Sequence, residues 1–160
     1  MSGNQPRADW LAEAIATRDI ERLIPNMAAA GVRINDARRH VKSARALAED
    51  DVTLALAACH DAIRKAITGH MVAKGLRPRN GDGAHRIVLN YARNQLTTLI
   101  TEEDLSDAEA IRRDRGVAEY DDFAPSRFNA DHISHAADVA SRIVDAVARE
   151  LAGVDRPARP

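Results

Sequence analysis

Apolar residues recur at alternating spacings of three and four along three stretches of the chain, the pattern of helices with one buried face. Asp50 or Asp51 precedes the second stretch and suits an N-cap, and Gly75 suits the position just beyond its C-terminus. The first two stretches, joined by a short acidic turn, predict an antiparallel helical hairpin. Gly153 ends the third stretch. The repeating positions are Ile34, Ala37, Val41, Ala44 and Ala48, then Val52, Leu56, Cys59, Ile63, Ala66 and His70, and finally Ile133, Ala137, Ala140, Val144, Val147 and Leu151.

Weaker signals predict helices outside these stretches. Asp9 can cap a first helix that continues through Leu23 and stops before Pro25, because proline disfavours helix at the residue before it. Leu76–Gly83 contains a proline and two glycines and is expected to be a loop. A fourth helix is expected to begin near Ala84.

A fifth helix is expected over Leu105–Tyr120. The predicted fold class is therefore all-α: an antiparallel bundle of four core helices plus an N-terminal helix and a short additional helix. We assign residues 1–30 to an N-terminal helical arm, residues 31–153 to the bundle and residues 154–160 to a disordered tail.

The composition agrees with a single helical domain. The chain has 160 residues, a length that suits one domain, and only 3% of them are aromatic, whereas β-sandwiches need aromatic and β-branched residues. The 23 Lys and Arg residues nearly cancel the 24 Asp and Glu residues, which gives a net charge of -1. With this net charge, the protein as a whole has no electrostatic attraction to nucleic acid. Binding to nucleic acid would need a local cluster of basic residues.

The single Cys59 excludes an internal disulfide and a cysteine-based zinc cluster, and its helical position favours a small buried core residue. The polar residues 1–9 predict no signal peptide, and no run reaches the roughly 18 apolar residues of a membrane span. A soluble cytoplasmic protein is expected.

The common motifs of cofactor and metal chemistry are missing from the sequence. It contains neither GxxxxGK[ST], GxGxxG, HExxH nor GxSxG, and we predict no cofactor. His132 and His135 have the spacing of a metal-binding pair, with Asp131 and Asp138 nearby. We favour surface histidines near a helix start, and no metal site. His60 follows Cys59 directly, and consecutive helical residues diverge by 100°, so they form no catalytic pair.

The most informative segment is the arginine-rich stretch IRRDRGVAEYDD. On a helix, Arg112, Arg115 and Glu119 share one face, and Arg113 and Tyr120 lie with Val117 on roughly the opposite face. Arginine forks suit phosphate oxygens, and tyrosine can stack on a base. The plainer interpretation is a solvated helix with an ion pair between Arg115 and Glu119.

With these features, the sequence resembles members of the HEPN domain family. HEPN domains are small, dimeric, all-α domains found in many prokaryotic toxins and defence RNases. The resemblance covers about Ile34 to Leu151. Four stretches of the sequence carry this resemblance, through their order along the chain and their spacing. They are the helical pair with Ala44, Leu47, Ala48 and residues 55–66 (ALAACHDAIRKA), the turn at residues 74–78 (KGLRP) that leads to residues 83–86 (GAHR), residues 112–121 (RRDR through EYD), and the final amphipathic helix.

The resemblance implies candidate catalytic residues. The family's RNase motif is an Arg, often followed directly by a polar residue, and a His that comes after four to six intervening residues. A Tyr commonly stands two positions past the His. Arg113, Asp114 and Tyr120 match this pattern, but Ala118 stands where the family has His. Anchored on Arg115 instead, the motif has Tyr120 at the His position. The bare spacing also occurs at Arg33–His40, Arg64–His70 and Arg127–His132, about as often as chance allows.

These observations leave three functions open. The first is a catalytically weak or silent subunit of a toxin–antitoxin or defence system that binds RNA, a nucleotide or a partner protein. The second is an active metal-independent endoribonuclease that uses Arg113, Asp114 and Tyr120. The third is a structural bundle without a nucleic-acid role.

The resemblance implies a homodimer, with the Arg112–Tyr120 helix near the dimer cleft, and a nucleotidyltransferase-type partner protein; no membrane association is expected. The candidate binding residues are Arg112, Arg115, Glu119 and His85. A functional His85 must face the helix that carries Arg113. The alternative is a locally hydrogen-bonded residue at a helix start.

Overall fold

The computed structural model describes residues 7–81, 83–122 and 127–154, and these form a bundle of six α-helices with one small two-stranded sheet. The fold class is thus all-α, as predicted. The predicted disordered tail lies outside the described residues, apart from Val154. The elements are α1 (Arg7–Ala16), β1 (Ile20–Arg22), α2 (Met27–Leu47), α3 (Val52–Ala73), β2 (Leu76–Pro78), α4 (Ala84–Gln95), α5 (Glu102–Tyr120) and α6 (Ala130–Val154).

The predicted hairpin is formed by α2 and α3. Asn26 caps α2 by accepting a hydrogen bond from the Ala29 amide at 2.9 Å. Asp51 caps α3 by accepting from the Leu54 amide at 2.9 Å. Both caps satisfy amides that have no partner within the helix. Gly75 adopts φ 72° just beyond α3, a conformation that glycine tolerates best.

The core forms around α3, which packs against α2, α4, α5 and α6. Small side chains let the helices approach closely: a Cβ added to Gly69 of α3 would lie 3.4 Å from the Ala30 carbonyl oxygen of α2. Cys59 is fully buried, as predicted, and burial raises the pKa of its thiol to about 12. No helix among the described residues is long and apolar enough to cross a membrane.

The first helix is shorter than predicted. It ends at Ala16, and the chain turns at Arg18, whose φ is 63°. Ile20–Arg22 then pairs antiparallel with Leu76–Pro78, a segment predicted to be loop. Ile20 and Leu23 have the three-residue spacing of a helix. The segment forms a strand instead, because it pairs with a strand that is distant in the sequence.

The start of α5 also differs from the prediction. The helix begins at Glu102 rather than near Leu105, because the Thr101 hydroxyl caps it by accepting a hydrogen bond from the Asp104 amide at 3.1 Å. The helix still ends at Tyr120, as predicted.

Candidate anion-binding site

Two histidines from different helices meet at the surface between α3 and α4. His60 Nε2 lies 2.9 Å from His85 Nδ1, and the ring centroids are 5.0 Å apart. His60 comes from the buried face of α3 and is only 3% exposed. His85 is in the first turn of α4, which the left-handed Gly83 (φ 89°) directs toward α3. One ring must donate its N–H to the bare nitrogen of the other.

Both imidazoles are neutral at pH 7. Burial lowers the pKa of His60 to about 4, and the charges of His85 and Arg115 act in the same direction. Burial also lowers the pKa of His85, with help from Arg64, Arg115 and Arg112, while Asp61 opposes the shift. The charges acting on this pair are therefore mainly positive.

Three arginines supply this charge. Arg64 follows His60 by one helical turn on α3, and Arg112 and Arg115 come from α5. The Nε atoms of Arg64 and Arg115 are buried and have no hydrogen-bond acceptor among the described residues. Arg64 Nε forms an ion pair with Asp61 Oδ1 of the same helix at 3.6 Å, a distance too long for a hydrogen bond.

Arg112 differs because its guanidinium group is already hydrogen-bonded to a carboxylate. Its Nε and one terminal nitrogen donate to Glu109 Oε1 at 3.1 and 2.7 Å. This contact lowers the pKa of Glu109 and raises that of Arg112. The N–H donors that still lack an acceptor among the described residues are therefore the Nε atoms of Arg64 and Arg115. We call His60, Arg64, His85, Arg112 and Arg115 the histidine–arginine cluster.

The cluster can accept an anion. Buried N–H donors without acceptors are costly, and a phosphate or carboxylate oxygen would satisfy them with charge-assisted hydrogen bonds. The side chains of the cluster are partly exposed apart from His60, so a ligand can reach the cluster from the surface. The two Nε atoms themselves are buried, so contact with them requires the arginine side chains to turn toward the ligand. A cleft of about 370 Å³ beside Arg115 and Glu119, with Leu54 and Ala57 of α3 on its other side, adjoins the cluster.

The structure brings three of the four predicted binding residues to this region. The charges of Arg112 and Arg115 both act on His85, so this residue lies near the helix that carries Arg113. Glu119 lies beside Arg115 at the neighbouring cleft, but no ion pair joins these two side chains within the described part of the chain.

The predicted catalytic residues lie elsewhere on α5. Arg113 and Tyr120 are exposed, Tyr120 by 85%, and Val117 between them is also exposed. We call these three residues the outward face of α5. Asp114 instead turns toward α6, where its Oδ2 lies 3.0 Å from His132 Nε2. Ala118 is 5% exposed.

His132 and His135 bind separate carboxylates. His135 Nε2 lies 3.1 Å from Asp107 Oδ2, and His132 pairs with Asp114. Among the described residues, no group of three or more His, Cys, Asp or Glu side chains is placed to hold a metal ion. The two histidines thus join α6 to α5.

His60 and Arg64 are the residues that sequence reasoning missed. The only available signal was their spacing of four, which places both on one side of α3. Their juxtaposition with His85 depends on the path of the chain from β2 to α4, which no local pattern reveals.

A family model described as HEPN domain matches residues 30–151. The match begins in α2 and ends in α6, so it includes the whole histidine–arginine cluster and leaves out α1 and β1. No curated protein and no solved structure matches the chain.

Proposed function

The chain belongs to the HEPN domain family, and on that premise we propose that it is a catalytically weak or silent subunit that binds the phosphates of RNA or a nucleotide through the histidine–arginine cluster. The observation that carries the proposal is the pair of buried Nε donors, on Arg64 and Arg115, with no acceptor among the described residues. The proposed setting, a toxin–antitoxin or defence system, follows from the family.

The protonation of the histidines favours binding over catalysis. Metal-independent RNA cleavage by general acid–base chemistry needs one group to take a proton and another to give one. With a pKa near 4 and 3% exposure, His60 is neutral and out of reach of a substrate. The pKa of His85 is also lowered, so this imidazole carries no proton to give at pH 7 beyond its neutral N–H.

A second candidate function is supported by the contact between Asp114 and His132. The sequence motif built on Arg113 lacks its histidine, yet His132 reaches within 3.0 Å of Asp114 from α6. An active metal-independent endoribonuclease would use Arg113, Asp114 and Tyr120 with this imidazole as the missing acid–base group. The exposure of Arg113 and Tyr120 leaves them open to a substrate or to a second copy of the chain.

The homodimer and the nucleotidyltransferase-type partner belong to the same proposal. The outward face of α5 supports the homodimer, because it combines two exposed apolar side chains with an arginine that has no ion-pair partner among the described residues. The nucleotidyltransferase-type partner rests on the family resemblance alone.

The test of the first proposal is binding of a fluorescein-labelled single-stranded oligouridylate, followed by anisotropy across a salt series. Arg64→Gln and Arg115→Gln should each weaken binding about tenfold and lower the salt slope by about 0.7, because each removes one phosphate contact. Arg149→Gln, an exposed arginine on α6, is the matched control and should bind as the wild type does.

Two outcomes oppose the proposal. Equal affinity of the Arg64, Arg115 and Arg149 variants would remove the cluster from RNA binding. A lower melting temperature in the Arg64 and Arg115 variants without any change in affinity would assign these arginines a structural role.

The same RNA decides the second candidate when it is incubated with the protein in the presence of a chelator. Cleavage by the wild type that is lost in His132→Ala and Arg113→Ala, but kept in Arg149→Gln, would establish the endoribonuclease. Intact RNA in every reaction supports the binding subunit.

A further inference from the structure

A second concave region lies between α1 and the start of α4. It consists of two adjoining clefts of about 350 and 380 Å³, which share Asp19, Arg86 and Ile87 in their walls. These volumes are within the range of small-molecule sites. We call the region the α1–α4 cleft. Its remaining lining residues are Arg79, Asn80, Gly81, Gly83 and Ala84 at one end, and Trp10, Glu13, Ala14, Thr17 and Asn90 at the other.

One end of the α1–α4 cleft carries two available cations. Arg79 and Arg86 are both exposed, and their side chains make no hydrogen bond or ion pair with any described residue. The Arg79 amide donates to the Asp19 carbonyl oxygen at 2.9 Å, which holds this backbone in place. The Asp19 carboxylate already accepts the Thr17 hydroxyl at 2.9 Å. Two guanidinium groups at one mouth suit the oxygens of a phosphate.

The other end offers an aromatic surface and a polar edge. Trp10 is half-buried, packs against the core and lines the cleft. An indole face is a stacking platform for a nucleobase. The Asn90 carboxamide and the Glu13 carboxylate, neither with a side-chain partner in the described structure, line the same cleft and can bond to the edge of a base.

We propose that the α1–α4 cleft binds a nucleoside phosphate, with the phosphate at Arg79 and Arg86 and the base against Trp10. The site is separate from the histidine–arginine cluster and lies partly outside residues 30–151, because Trp10 and Asp19 precede that range. A free mononucleotide has both a phosphate for the arginine end of the cleft and a base for the tryptophan end.

Trp10 is the only tryptophan in the chain, so the tryptophan fluorescence of the protein comes from a residue that lines this cleft. The probes are the purified protein with guanosine monophosphate, adenosine monophosphate, guanosine without phosphate, and inorganic phosphate. The two nucleotides should change the fluorescence along a saturable curve, and guanosine and phosphate should each bind at least about tenfold more weakly. Nucleotide and inorganic phosphate that bind equally well would reduce the cleft to an anion site and overturn the proposal.

Substitutions at the phosphate end keep the tryptophan and the fold. Arg79→Gln and Arg86→Gln should each raise the dissociation constant of the nucleotide about tenfold, and Arg149→Gln should leave it unchanged. A linear, non-saturating signal, or equal binding by the Arg86 and Arg149 variants, would contradict the site.

The base end is tested by calorimetry, because the substitutions there remove the fluorescent group. Trp10→Phe keeps an aromatic face and should bind the nucleotide nearly as the wild type does. Trp10→Leu fills similar space without a π-system and should bind it at least about tenfold more weakly. Equal binding by the folded Phe and Leu variants would exclude stacking on residue 10.

Discussion

The Nδ1 atom of His70 lies 2.9 Å from the hydroxyl oxygen of Tyr91, and this contact joins α3 to α4 inside the core. Burial lowers the pKa of His70 to about 4 and raises that of Tyr91 to about 12, so both groups are neutral and a single hydrogen bond joins them. The pair lets two polar side chains be buried without an unsatisfied atom.

Tyr91→Phe should therefore destabilise the protein by about 1–3 kcal/mol, because it leaves a buried imidazole nitrogen without a partner. Urea denaturation measures the effect. Tyr120→Phe is the matched control, since the Tyr120 side chain is 85% exposed, and should unfold at the wild-type midpoint. Equal midpoints for the two variants would contradict a stabilising role for the hydroxyl.

Acid should destabilise the fold before its carboxylates titrate. The pKa values of His60 and His70 are about 4 in the folded chain and about 6.5 in the unfolded one, so the unfolded state binds more protons in this window. Stability is full above about pH 6.5 and falls toward pH 4, by up to about 1.4 kcal/mol per pH unit for each histidine.

Urea titrations between pH 7 and 5 test this expectation. His70→Gln should reduce the pH dependence, whereas His135→Gln, at a residue exposed on α6, should keep the contribution of the buried histidines. A stability that does not change between pH 7 and 5 would show that the buried histidines are protonated without penalty.

Ala118→His, the direct way to supply the histidine of the family motif, should lower stability. Ala118 belongs to a buried apolar cluster with Ala55, Leu56 and Ile133, and an imidazole would add volume and a polar ring there. We expect a cost of about 1–3 kcal/mol, measured by thermal denaturation. Ala46→His, the same substitution at an exposed position of α2, should melt close to the wild type. Equal melting of the two variants would mean that the pocket around residue 118 can open.

The outward face of α5 is expected to be a dimer interface. Light scattering at micromolar concentration should report a dimer, and Val117→Arg together with Tyr120→Arg should convert it to a monomer with unchanged helical content by circular dichroism. Ile24→Arg is the control, because Ile24 is exposed in the connection between β1 and α2. A wild-type monomer, or a dimer that only the Ile24 variant disrupts, would place the interface elsewhere or remove it.

Local sequence signals predicted the helices well where their periodicity agreed with the packing. The seam from Ile34 to Ala44 is buried against α3, and Asp51 caps α3, because both features depend on neighbours within four residues. β1 could not be predicted in this way. Ile20–Arg22 is stabilised by Leu76–Pro78, whose partner positions are more than fifty residues away.

In the candidate site, too, the features set by nearby residues could be predicted and those set by distant contacts could not. The periodicity of α5 correctly separates Arg115 and Glu119, which line a cleft, from Tyr120, which points outward. It could not reveal that His60 meets His85, because that contact depends on how the chain returns through β2 and Gly83. Helical spacing describes the faces of one helix, whereas a site built from three helices depends on tertiary contacts.

The pairing of β1 with β2 has a consequence for communication between distant surfaces. It ties the segment after α1 to the chain that leads into α4, and the first turn of α4 carries His85 on one side and Arg86 on the other. A ligand that shifts or orders this turn alters the histidine–arginine cluster and the α1–α4 cleft together. Thermodynamic linkage then requires the effect to be reciprocal. If a bound nucleotide changes the affinity for RNA by some factor, bound RNA changes the affinity for the nucleotide by the same factor.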